Sequence, residues 1–72
     1  MSYTKDQKVQ IVNLDTVRKD EHLEDSALKI IEKSNFRGKV TKIENGINFV
    51  GFKNELGWVT QGFKGNEIKG VE

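Results

Sequence analysis

The chain has no cysteine and one histidine, His22, among its 72 residues. Without cysteine there is no disulfide to staple the fold and no thiolate to act as nucleophile. With one imidazole and no thiol, a structural zinc site lacks its usual ligands. No apolar stretch approaches the roughly 20 residues that span a bilayer. Met1 to Asp6 also lacks the apolar run of a signal peptide and carries an acidic residue instead. These absences lead to the expectation of a cytoplasmic protein with no membrane association. Large size is missing as well. A chain this short buries only about 60% of its unfolded surface, so its core is thin. Stability then has to come from that core, from local turn chemistry or from self-association.

The net charge of +1 hides an uneven distribution. Residues 1–32 hold five basic and seven acidic side chains, whereas residues 33–72 hold seven basic and four acidic. The second half is therefore mildly basic, well short of a dedicated nucleic-acid tail.

One domain over residues 1–72 is expected. Residues 1–7 are polar and aperiodic, which reads as a frayed end. Lys8 to Leu14 is short and β-branched, with Val9 and Ile11 on one face and Val12 and Leu14 on the other. That pattern suits a strand covered on both sides or bent across a barrel. From about Asp20 to Lys33 the period becomes helical, with Leu23, Ala27, Ile30 and Ile31 forming one apolar stripe. Asp20 is the expected N-cap, and Ser34-Asn35 the stop.

Residues 36–71 read as a four-strand β-meander. Asn45-Gly46 is a strong hairpin signal between Phe36–Glu44 and Ile47–Lys53. A two-residue loop would set Lys42 opposite Phe49. A three-residue loop would set Ile43 opposite Ile47 and Val40 opposite Val50, and this apolar matching makes it the expected register. A turn at Gly65-Asn66 would then pair Lys64 with Glu67 and Phe63 with Ile68. Short strands, regular turns and interior glycines point to a mainly β (α+β) fold. It would be a small, strongly curved β-barrel, or a strongly bent antiparallel meander, of about five strands with one α-helix inserted between strands 1 and 2.

The run Phe36-Arg37-Gly38-Lys39-Val40-Thr41-Lys42-Ile43-Glu44, followed by Phe49-Val50-Gly51-Phe52, resembles the Gly-Lys-Val core of KOW-type modules within Src-homology-3-like barrels. The resemblance covers roughly 20 residues of the 72. KOW-type modules commonly bind RNA or ribosomal and transcription partners, so it implies a binding role. A full helix ahead of the run and the lack of a dense basic surface depart from that pattern.

Two near-copies, Gly51-Phe52-Lys53-Asn54-Glu55 and Gly62-Phe63-Lys64-Gly65-Asn66-Glu67, invite a phosphate-loop reading. A phosphate cradle needs backbone N–H groups at a strand-to-helix turn. Neither copy precedes a helical pattern, so both read as hairpin corners. His22, Asp25 and Ser26 project side by side from one helical turn with no oxyanion donors in view, so no catalytic site is expected. The chain reads as no enzyme, with no cofactor and no metal.

Trp58 and Thr60 fall on one strand face, Val59 and Phe63 on the other. The simpler arrangement covers Trp58 with the helical stripe Leu23, Ala27, Ile30 and Ile31. If exposed, Trp58 would join Phe49 or Phe52 and Arg37, Lys39, Lys42 and Lys53 as a binding face. The leading expectation is a non-enzymatic module acting through contact with a protein partner. Its size and composition suit an adaptor or inhibitor of the phage or mobile-element kind. The alternatives are KOW-like binding of RNA or DNA, with the cations on phosphates and Trp58 or Phe49 stacking, and a self-associating structural homo-oligomer.

Overall fold

The computed structural model describes residues 3–21 and 23–71, the side chain of residue 16 excepted. Five strands are formed: β1 (Lys8–Ile11), β2 (Arg37–Glu44), β3 (Ile47–Asn54), β4 (Gly57–Phe63) and β5 (Ile68–Gly70). A single helical turn, α1 (Asp15–Arg18), and the main helix, α2 (Asp25–Lys33), lie between β1 and β2. The strands make one open antiparallel sheet in the order β4-β3-β2-β1-β5. The mainly β architecture and the helical insertion after the first strand are therefore as expected.

The four-strand meander needs correcting, because it stops after β4. Residues Gly65–Glu67 form a 3₁₀ turn in place of a two-residue hairpin. The Glu67 carboxylate accepts the Lys64 N–H at 2.7 Å, and the Glu67 N–H donates to the Lys64 carbonyl at 3.0 Å. This turn carries β5 away from β4 and across to β1. Ile68 then faces Ile11, so an apolar pair still forms, with a different strand from the one the turn pattern indicated.

The expected three-residue loop does not form in the β2–β3 hairpin: Ile43 faces Asn48, not Ile47, and only the Val40–Val50 pair of that register is kept. Asn45 and Gly46 have φ of 52° and 77°, the left-handed pair that a type I′ two-residue turn requires. Near the tip, Glu44 faces Ile47 and Lys42 faces Phe49. A register shift between Lys42 and Val40 leaves Thr41 as the extra residue, and beyond it Val40 faces Val50. Turn chemistry sets the tip, burial sets the interior, and a β-bulge reconciles them. Gly38 follows on the bent strand. A Cβ there would lie 2.5 Å from the Gly51 carbonyl oxygen and 2.7 Å from a Val50 methyl, so only glycine allows so close an approach.

Helix α2 starts at Asp25 with Glu24 as N-cap, later than the expected start near residue 20. Asp20 does not cap it; its carboxylate accepts the Gln61 side-chain amide at 3.0 Å and ties the preceding loop to β4. Leu23 therefore precedes the helix, although it still packs on the core. The C-terminus stops where Ser34-Asn35 indicated. The Phe36 N–H donates to the Ile31 carbonyl at 3.1 Å and the Asn35 N–H to the Glu32 carbonyl at 3.0 Å, a Schellman motif with Asn35 left-handed at φ 57°. Asn54 pins this end to the β3–β4 corner, its amide donating to the Ile30 carbonyl at 2.8 Å and to Ser34 Oγ at 2.6 Å.

Val9, Ile11, Val17, Ile31, Val40, Val50, Phe52, Phe63 and Ile68 form the buried core. Phe52 and Phe63 meet edge to face with ring centroids 6.3 Å apart. Val17 comes from α1, which lies between the expected first strand and the expected helix. Strand β1 is covered on one face, since Val9 and Ile11 are buried while Lys8 is exposed. The expected fraying of residues 1–7 does not hold for residues 3–7. The Asp6 N–H donates to the Val40 carbonyl at 2.7 Å, and the Tyr3 hydroxyl to the Ile68 carbonyl at 2.9 Å. Met1 and Ser2 lie outside the described residues. No helix among the described residues is long and apolar enough to cross a membrane.

Candidate ligand groove on the outer sheet face

Because strand side chains alternate, every residue that enters the core sends its neighbours to the opposite face. Burying Val9 and Ile11 turns Lys8 and Gln10 outward. Burying Val40 turns Lys39 outward, and burying Val50 and Phe52 turns Gly51 and Lys53 outward. On β4, Val59 and Phe63 face α2, which leaves Trp58 and Thr60 on the outer face. The expectation that the helix covers Trp58 is thus overturned: its indole is 73% exposed. A single strand cannot present both parities to one helix, and Val59 with Phe63 took the buried side.

These outward residues surround an open groove of about 950 Å³. Its walls include Lys8, Arg37, Lys39, Lys53, Trp58 and Thr60, and among the described residues no aspartate or glutamate lines it. Gly51 keeps the floor low, since a Cβ at that position would meet the Thr41 methyl at 2.9 Å. Two cross-strand pairs build the ends: Lys8 stands opposite Lys39, and Lys53 opposite Trp58. Like charges directly opposite in a sheet oppose folding. The ion pairs formed among the described residues join Lys19 to Asp15, Lys33 to Glu55 and Lys42 to Glu44, so none of them neutralises a groove cation. Among the described residues the groove is therefore a positive surface without a carboxylate partner, beside a large exposed aromatic ring.

Of the residues singled out from sequence, Trp58, Arg37, Lys39 and Lys53 are brought together here. Phe52 is not a surface residue. It is 1% exposed, belongs to the core and only underlies the floor. Lys42 and Phe49 form a separate set near the Asn45-Gly46 turn. There the Lys42 ammonium lies 5.8 Å from the Phe49 ring centroid and also pairs with Glu44. Lys8 and Thr60 were missed. The alternation Lys8-Val9-Gln10-Ile11 already put Lys8 on the outer face, but its place beside Lys39 required knowing that β1 pairs with β2 across the helical insertion.

The two glycine–lysine segments end in different corners. Asn54-Glu55-Leu56-Gly57 closes the β3–β4 hairpin, with the Leu56 N–H donating to the Asn54 side-chain oxygen at 2.9 Å. The second is the 3₁₀ turn, so only the first is a hairpin corner, and neither leads into an α-helix. Among the described residues no group of three or more His, Asp or Glu side chains is placed to hold a metal ion. The His22, Asp25 and Ser26 arrangement involves a residue outside those described. In comparisons with known proteins, no family model, curated protein or solved structure matches this chain.

Proposed function

We propose that this protein is a non-enzymatic binding module that holds a single strand of nucleic acid along its outer sheet face. The observation that carries the reading is Trp58, 73% exposed at one end of a groove lined by Lys8, Arg37, Lys39 and Lys53, with no carboxylate among the described residues of its lining. An exposed indole costs solubility and adds nothing to the core, and a Lys8–Lys39 pair works against the sheet. Both features have a use when a polyanion with stackable bases lies in the groove. The cations take phosphates by counterion release, and the ring takes a base face whatever its sequence. The resemblance of residues 36–52 to KOW-type modules, and the β4-β3-β2-β1-β5 order compatible with a Src-homology-3-like barrel, support the same reading.

A second reading keeps the outer face as a protein contact, as in an adaptor or inhibitor. The exposure of Leu56, 56%, close to Trp58 gives that reading an apolar anchor. Salt separates the two. Single-stranded RNA and DNA oligonucleotides should quench Trp58 emission, with micromolar affinity at low salt. Four neutralised phosphates give a slope of about −3 in log K against log [salt]. Changing Lys39 to Ala should reduce that slope by about 0.7. No quenching at low salt rejects the nucleic-acid reading and leaves the protein contact.

A further inference from the structure

The sheet is open, and β4 forms one of its edges. That edge is seven residues long, Gly57-Trp58-Val59-Thr60-Gln61-Gly62-Phe63, with no charge and no proline in it. Edge strands normally carry lysine, proline or a bulge, or are covered, because a bare row of N–H and C=O groups templates further pairing. The opposite edge, β5, is only three residues long and displays Lys69. No bulge interrupts the seven consecutive β3–β4 pairs. Among the described residues, no backbone hydrogen bond reaches β4 from its far side.

Hairpin geometry fixes which groups point outward. Asn54 and Gly57 close a two-residue loop and exchange hydrogen bonds with each other, so Val59, Gln61 and Phe63 also direct their backbone groups toward β3. Trp58, Thr60 and Gly62 direct theirs to the free edge. A partner strand must therefore pair with those three residues.

We propose that the β4 edge pairs antiparallel with β4 of a second copy, around a two-fold axis at Thr60. This register places Thr60 opposite Thr60 of the second copy and Trp58 opposite Gly62 of the second copy. Outward and inward side chains then stay on matching faces, as a continuous sheet requires. A Thr–Thr pair is favourable across antiparallel strands, and the uncharged strands bring no like charges together. Gly62 is the one outward position on β4 that raises no side chain against an incoming indole. Over Gly62 lie an Ile47 methyl and the Phe49 ring, 2.8 and 3.5 Å from where a Cβ would stand, so the incoming indole meets an apolar seat instead of a side chain of β4, and each copy supplies both ring and seat. The two outer faces become one surface, with the two indoles about 14 Å apart along the strand direction.

The absence of native cysteine makes the test direct. Opposed residues in a hydrogen-bonded antiparallel pair have Cα atoms about 5.5 Å apart, within the range a disulfide bridges. Thr60→Cys should oxidise to a covalent dimer at micromolar concentration, whereas Thr41→Cys, exposed on β2 away from the edge, should not. Sedimentation of the unmodified chain should show a monomer–dimer equilibrium. Thr60→Lys places two ammonium groups at the axis and should weaken it by about tenfold or more, with an unchanged far-UV spectrum. A monomer up to millimolar concentration with no Thr60→Cys cross-link overturns the proposal. So does a dimer that neither variant affects, or a monomer whose β4 edge takes up an extended peptide instead.

Discussion

The two faces of the same sheet obey different rules. On the inner face Val9, Val40, Val50, Phe52 and Phe63 pack with α2 until none is more than 2% exposed. On the outer face Lys8, Arg37, Lys39 and Lys53 line one groove, with a 73% exposed Trp58 beside Lys53 at its far end from Lys8. Inner-face residues are explained by burial at about 25 cal/mol per Å². Their outer-face neighbours are not explained by stability at all, because a like-charge pair and a bare tryptophan work against it. Alternation along each strand makes the two faces inseparable in sequence while leaving them independent in energy. A substitution on one side should report on folding, and its neighbour on binding.

The largest effect is expected from Phe52→Ala. It removes a ring that is 1% exposed and in edge-to-face contact with Phe63, at a cost of about 3–5 kcal/mol. A core of this size supplies only about 3–5 kcal/mol of net stability, so the variant should be largely unfolded at 25 °C by urea titration. If it instead melts cooperatively within a few degrees of the parent, the inner face is not the main support of the fold.

Gly38→Ala comes next and tests the bend that joins the faces. Its methyl would lie 2.5 Å from a backbone oxygen, which cannot swing aside as a side chain can. Overpacking of this kind costs about 1–3 kcal/mol, and each kcal/mol lowers the melting temperature of so small a domain by about 4–8 °C. Thermal melts check it. An unchanged melting temperature would mean that β2 and β3 separate at Gly38 without penalty, and that the bend does not depend on the glycine.

How much of this was legible in the sequence depended on whether a feature was local. The Asn45-Gly46 turn, the Ser34-Asn35 stop and the alternation that buries Val50 and Phe63 each rest on adjacent residues, and all are observed. The destination of β5 was not legible, because Ile68 could satisfy its apolar preference with Phe63 or with Ile11. The choice lay in how the Glu67 carboxylate closes the 3₁₀ turn. The same ambiguity hid the candidate site. Parity divided β4 into Trp58 with Thr60 and Val59 with Phe63, but not which set the helix would take. Local pattern also could not place Lys8 beside Lys39, a pairing between residues 31 positions apart that forms only once the helical insertion folds back.

The smallest effect on stability, and the sharpest test of the contrast, is expected from Trp58→Ala. The side chain is 73% exposed and faces away from α2, so its removal should change unfolding free energy by no more than about 0.5 kcal/mol, measured by urea titration followed by circular dichroism. Oligonucleotide affinity, read by anisotropy of a labelled strand because the intrinsic fluorophore is gone, should fall by about 1–3 kcal/mol, the usual worth of one stacked base. A loss of stability comparable to that of Phe52→Ala would show that the indole supports the core and would erase the division between the faces. Unchanged stability with unchanged affinity would leave the division intact but move the ligand away from Trp58, onto the lysine end of the groove, where Lys8 and Lys39 stand opposite each other.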